Sequence, residues 1–136
     1  MRRISTLTPS EWRIMNLLWD KAPRTVTELV SELSATTGWS KHTVISFLGR
    51  MEQKGTVGHR QGPRAKEYFP LRRRDYAQMA ETESFLDRVY NGSPGRLIAA
   101  LADSGLLTES DFEILSNILE TEWKKEKKAL EMTEML

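Results

Sequence analysis

Trp39-Ser40-Lys41-His42-Thr43-Val44-Ile45-Ser46-Phe47-Leu48-Gly49-Arg50-Met51-Glu52-Gln53-Lys54-Gly55 is the stretch on which the fold turns. It reads as a helix with a marked start and a marked stop. Ser40 stands where an N-cap stands, and Gly55 where a left-handed residue ends a helix. Between them Val44, Phe47, Leu48 and Met51 recur at helical spacing and should face a core. The remaining face carries Lys41, His42, Thr43, Ser46, Arg50 and Gln53, with no acid until Glu52 at the rim. A merely solvated helix face usually mixes Glu and Lys in pairs. Hydroxyls, an imidazole and cations instead suit phosphates and base edges. The expectation is a helix that enters the major groove of DNA.

Upstream, two more helix starts are written in the sequence. In Thr8-Pro9-Ser10-Glu11, Thr8 is the N-cap, Pro9 the first helical residue and Glu11 the partner in a capping box. Trp12, Ile14, Met15, Leu17, Leu18 and Trp19 give that helix a broad apolar face, ending near Lys21 before Pro23. Thr25-Val26-Thr27-Glu28 is a second capping box. Val26, Leu29, Val30 and Leu33 follow at helical spacing until Thr36-Thr37-Gly38. Two short helices, a Gly-containing turn and a third helix with a polar face make a helix-turn-helix.

Downstream, Thr56 to Gln61 alternates weakly and predicts a strand. Gly62-Pro63-Arg64-Ala65 is turn chemistry, and Lys66 to Leu71 predicts the returning strand. A hairpin directly after such a helix is the wing of a winged helix. Arg60, Arg64 and Lys66 are expected at its tip, where they would reach the sugar-phosphate backbone or the minor groove. Arg72-Arg73-Arg74 reads as a hydrated linker rather than a phosphate clamp.

The charge divides the chain where the character changes. Residues 1–74 hold fourteen Lys/Arg against six Asp/Glu, a net of +8; residues 75–136 hold six against thirteen, a net of −7. The basic half suits a polyanion, and the acidic half suits another task. The expected domains are therefore a winged-helix DNA-binding domain over 1–74 and a helical dimerisation domain over 75–136. In the second, Tyr76, Met79, Leu86, Val89 and Tyr90 mark a fourth helix ended by Asn91-Gly92. Ser93-Pro94 restarts a short helix with Leu97, Ile98 and Leu101. Thr108, with Asp111, caps a long last helix striped by Phe112, Leu115, Ile118, Leu119 and Trp123. Roughly 60 residues in three helices make a thin core if left alone. A second copy should complete it, through Leu86, Tyr90, Leu97, Leu101, Phe112, Leu115, Leu119 and Trp123. Met132 to Leu136 is expected to fray. The fold class is thus mainly α: three helices and a β-hairpin wing, then three dimerisation helices.

Composition narrows the function further. With 136 residues, 39% of them hydrophobic and 29% charged, the chain should fold. The absence of cysteine excludes a disulfide scaffold, a thiolate metal site and a cysteine nucleophile. The start, Met1 to Pro9, lacks the apolar run of a signal peptide, and no stretch approaches the roughly 18 apolar residues that span a membrane. The expected location is the cytoplasm, without membrane insertion. There is no nucleophile elbow, phosphate-cradling glycine loop or zinc-binding His pair. No catalytic residue, metal or cofactor is expected.

Taken in order, Leu7-Thr8, Glu11-Trp12, Ile14-Met15, Trp19, Thr27-Glu28-Leu29, Trp39-Ser40, Thr43-Val44, Leu48, Arg50-Met51 and Lys54-Gly55 resemble the penicillinase and methicillin-resistance repressors, the BlaI/MecI/CopY family. Phe85 to Gly92 and Thr108 to Leu119 resemble the same family's dimerisation half. The resemblance implies a homodimeric repressor on a palindromic operator in double-stranded DNA, with Thr43, Ser46 and Arg50 facing it. It also implies a membrane sensor/protease system as a partner, which in antibiotic-responsive members leads to cleavage of an Asn–Phe bond. Alignment forward from Val89-Tyr90-Asn91-Gly92 puts Ala100-Leu101 at that bond, so the recognised dipeptide is absent. The copper-responsive branch binds metal through C-terminal cysteines, which this chain lacks. Two alternatives stand beside the repressor. A winged helix used as a protein-interaction module would often lose its basic surface, which the +8 half retains. An RNA-binding protein would show an exposed aromatic platform, and none is evident.

Overall fold

The computed structural model describes residues 6–135; the part of the leader reading that falls on Met1–Ser5, and Leu136 at the expected frayed end, lie outside the described residues. The described chain runs α1 (Pro9–Asp20), α2 (Val26–Thr37), α3 (Lys41–Lys54), β1 (Val57–Gln61), β2 (Lys66–Pro70), α4 (Arg74–Tyr90), α5 (Pro94–Ser104) and α6 (Glu109–Met135). It divides into two compact units, one up to Phe85 and one from Leu86. The division falls inside α4, eleven residues beyond the change in charge. Ala77, on the first turns of α4, is buried in the first unit, which therefore includes the start of that helix.

The caps of the first unit match their chemistry. The Thr8 hydroxyl accepts from the Glu11 N–H at 3.2 Å, and the Glu11 carboxylate accepts from the Thr8 N–H at 2.9 Å. The Thr25 hydroxyl likewise accepts from the Glu28 N–H, while Glu28 accepts from the Thr25 N–H. Gly38 and Gly55 end α2 and α3 with φ of 66° and 78°, a conformation in which glycine has no Cβ to strain. Ile14, Met15 and Leu18 of α1 meet Leu29 and Leu33 of α2 and Val44, Leu48 and Met51 of α3 in one buried cluster. Val57 of β1 and Tyr68 of β2 close it from the hairpin side. Trp12, Trp19, Trp39 and Phe47 pack around its edge, half-buried.

β1 and β2 pair antiparallel with Val57 opposite Pro70 and Gln61 opposite Lys66. A third segment joins them that periodicity did not predict. Arg24 exchanges backbone hydrogen bonds with Tyr68 at 3.0 and 2.8 Å. A single residue between Pro23 and a helix cap carries no strand periodicity, so it was not legible. The arginines after the hairpin are likewise more engaged than a hydrated linker. Arg73 pairs with Asp75 at 2.7 Å, and Arg74 with Asp20 at 3.1 Å while lying over the Trp19 ring. The Trp19 indole donates to the Arg72 carbonyl at 2.9 Å, which fixes the hairpin's exit on α1.

In the second unit α4 ends at Asn91 and Gly92, with φ of 51° and 79°. The Ser93 hydroxyl caps α5 by accepting from the Arg96 N–H. Thr108 and Asp111 cap α6 reciprocally at 2.8 and 3.2 Å. The expected fraying from Met132 is not what the structure shows: α6 stays helical through Met135. Met132, Glu134 and Met135 are good helix formers, and no proline or glycine stands there to stop the helix.

Candidate nucleic-acid interface

Burial on one side fixes how α3 is rotated. Val44, Leu48 and Met51 are fully buried, so the opposite side must face solvent. Lys41, His42, Ser46, Arg50 and Gln53 are all exposed there. Thr43 is half-buried, and its hydroxyl lies 3.1 Å from the Ser40 hydroxyl that caps the helix. Its polar atom is therefore partly committed to the helix start. Among the described residues, no carboxylate forms an ion pair with Lys41, Arg50, Arg64 or Lys66. That leaves four cations without an acid partner on α3 and the wing.

Arg50 is nonetheless held. Its guanidinium lies 5.2 Å from the centroid of the Phe47 ring, and that ring lies 4.9 Å from Trp39. The stack Trp39–Phe47–Arg50 restrains a side chain that would otherwise sample many rotamers. Sequence reading placed Phe47 only in the core. The spacing of three residues to Arg50 was the available signal, because such residues are neighbours on a helix surface.

The wing places its basic residues differently from one another. Arg64 sits in the turn between the strands. Arg60 and Lys66, expected at the tip, are instead strand residues beside it, Arg60 opposite Glu67 and Lys66 opposite Gln61. The Arg60 Nε donates to Glu67 at 3.1 Å, so part of its charge is spent within the hairpin. The wing's base is tied to α3, because His59 Nδ1 and Glu52 Oε1 are 2.8 Å apart across the junction. The His59 ring also packs on Tyr68 at 5.5 Å.

Two further contacts set the frame. Lys54, at the end of α3, donates to both Glu11 carboxylate oxygens at 2.8 and 3.1 Å. Burial of Glu11 opposes its ionisation, but the hydrogen bonds from Lys54 and Thr8 and the Lys54 charge outweigh it. The carboxyl is held below its ordinary value. Thr56, fully buried, donates its hydroxyl to the Met51 carbonyl at 3.0 Å just past the helix end. Neither role was read from sequence, where Glu11 counted only as a cap. Among the described residues, no cluster of His, Cys, Asp and Glu has the grouping to hold a metal.

The second unit presents a different surface. No side chain of α5 or α6 is buried. Leu86, Tyr90, Leu97, Leu101 and Leu115 are half-buried, while Phe112, Leu119 and Trp123 are exposed, Trp123 by 59%. Ile114 and Ile118 are exposed as well. Leu101, beside Ala100 in α5, lines a cleft with Ile98, Leu107, Ile114 and Leu115.

Comparison with known proteins gives one consistent family. The profile of the penicillinase repressor family matches residues 7–121. A penicillinase repressor of Bacillus licheniformis is 30% identical over 129 residues, covering 94% of this chain and 99% of that protein. The methicillin resistance regulatory protein MecI of Staphylococcus aureus (strain N315) is 23% identical over 113 residues, covering 83% and 92%. A solution structure of monomeric Bacillus licheniformis BlaI with the blaP half-operator is similar at 28% identity and a TM-score of 0.48, covering 55% of this chain and 92% of that one.

Proposed function

The chain belongs to the penicillinase repressor family and is a DNA-binding transcriptional repressor, not an enzyme; from that premise we propose that it acts as a homodimer on a palindromic operator. In this reading α3 enters the major groove. Lys41, His42, Thr43, Ser46 and Arg50 meet phosphates and base edges there. Arg64 at the wing's turn, with Lys66 and Arg60 beside it, adds backbone contacts. The observation that carries the reading is the outward face of α3, which presents cations and hydroxyls with no acid pairing Lys41 or Arg50 among the described residues. A second copy covers the apolar stripe of Phe112, Leu119 and Trp123, with Leu86, Tyr90, Leu97, Leu101 and Leu115 beside it.

We propose that a membrane sensor/protease system, if it is a partner, ends repression otherwise than at the Asn–Phe bond implied by the resemblance, because Ala100-Leu101 stand at its place in α5. The proposed location is the cytoplasm. No helix among the described residues is long and apolar enough to cross a membrane.

A binding selection on random duplex DNA, at fixed near-physiological salt, tests the proposal. It should return a palindrome whose half-site centres lie about one helical turn (~34 Å) or a multiple apart. Unselective binding that vanishes as salt rises would sink it and favour a winged helix that binds protein instead.

A further inference from the structure

The outward face of α3 holds two residues that a helix of its kind has no internal reason to keep. Ile45 is 44% exposed, and β-branched side chains lose rotamer freedom in helices. Gly49, one turn on, is a weak helix former in a helix interior. Its backbone is ordinary, and a Cβ placed there would meet nothing within 4 Å. Neither packing nor backbone geometry within the chain asks for glycine. The two lie four residues apart, so the open space above Gly49 adjoins the Ile45 side chain. Lys41 and Gln53 extend the same row, and His42, Ser46 and Arg50 form the next one, all exposed.

We propose that Ile45 and Gly49 form an apolar notch that reads a thymine through its C5-methyl group. The inference rests on the placement of α3 in the major groove. Among base edges there, the thymine methyl is the one apolar group, and aliphatic side chains recognise it by contact. Ile45 supplies the contact. Gly49 supplies the clearance, because without a side chain the helix backbone can approach the base edge closely. The flanking cations and hydroxyls then hold the backbone and the neighbouring polar edges. Ile45 is thus a specificity-determining residue that charge and hydrogen-bonding capacity do not reveal.

The test uses the full-length protein and its selected operator, with each thymine replaced in turn by deoxyuridine, which lacks only the methyl. The unaltered protein should lose about fourfold in affinity at one thymine per half-site, the worth of one buried methyl-sized group. Ile45→Ala should bind the thymine duplex more weakly and no longer distinguish thymine from uridine at that position. Gly49→Ala should melt a few degrees higher, because alanine favours the helix. It should nonetheless bind the operator about fivefold or more weaker, because the added methyl fills the notch. Equal binding of all uridine-substituted duplexes, or an Ile45→Ala variant that still discriminates as the unaltered protein does, overturns the notch. So does a Gly49→Ala variant of undiminished affinity. In those cases selection of a palindrome would leave the repressor reading standing; failure to select any sequence removes both.

Discussion

The two units of this chain spend their apolar residues in opposite ways. In the first, Ile14, Met15, Leu29, Val44, Leu48 and Met51 are sealed from water, and the exposed face of α3 is polar except at Ile45. In the second, α5 and α6 bury no side chain, and Phe112, Ile118, Leu119 and Trp123 stand exposed. Scattered exposed leucines are ordinary on proteins, but a stripe along one long helix is not. The first unit has the core of a finished domain. The second has the surface of half a core, which is the physical basis for proposing a second copy.

The two units should differ most at Leu48. Leu48→Ala should cost ~2–5 kcal/mol in denaturant unfolding of the first unit, because it leaves a cavity in close-packed surroundings. The loss should not depend on protein concentration. A concentration-dependent loss would mean that the first unit, too, relies on a partner.

Trp123→Glu probes the other side. It places a charge on the apolar stripe and should weaken self-association by ~2 kcal/mol or more, a dissociation constant raised about 30-fold. Sedimentation reads this directly, and the melting of the first unit should stay put. Unchanged association would take Trp123 out of the interface.

Phe47→Leu tests the polar face. It keeps a half-buried apolar side chain but removes the ring beneath Arg50. The operator affinity should fall by ~0.5–1 kcal/mol, the worth of an exposed cation–π contact. Phe47→Tyr should restore it. If Phe47→Leu matches the unaltered protein while Arg50→Ala does not, the stack has no part in presenting Arg50.

Glu11→Gln should show the smallest effect at a given pH, about 0.5 kcal/mol, because Lys54 is only partly sheltered. Its pH dependence is the informative part. The folded Glu11 carboxyl lies below its ordinary value of 4.5, so it stabilises the first unit above that pH. The stabilisation is lost as pH falls through the depressed value. The variant should therefore have a shallower acid limb in thermal melts followed from pH 6 to pH 2. Superimposable limbs would show that the Lys54 contact contributes nothing in solution.

Much of this is legible in the sequence, for identifiable reasons. Thr8, Thr25, Ser40, Gly38 and Gly55 act through bonds to residues a few positions away, so sequence spacing carries the whole signal. The rotation of α3 followed from Val44, Leu48 and Met51. What was missed depends on residues distant in sequence or on space rather than pattern. Arg24 is paired with Tyr68, Lys54 with Glu11, and Trp19 with the Arg72 carbonyl. Arg60 was expected at the wing tip because its turn residues were read correctly but not the register that pairs it with Glu67. On the candidate interface, Ile45 and Gly49 carry no charge and no side-chain hydrogen-bonding group, so the polar pattern that marks the face does not mark them.

Sedimentation equilibrium of the full chain, without DNA and over a range of concentrations, tests most directly whether the second unit is half a core. A species of twice the 15.6 kDa chain mass, dissociating on dilution, is expected. A mass of one chain at every concentration would contradict it, and the exposed stripe on α6 would need another explanation.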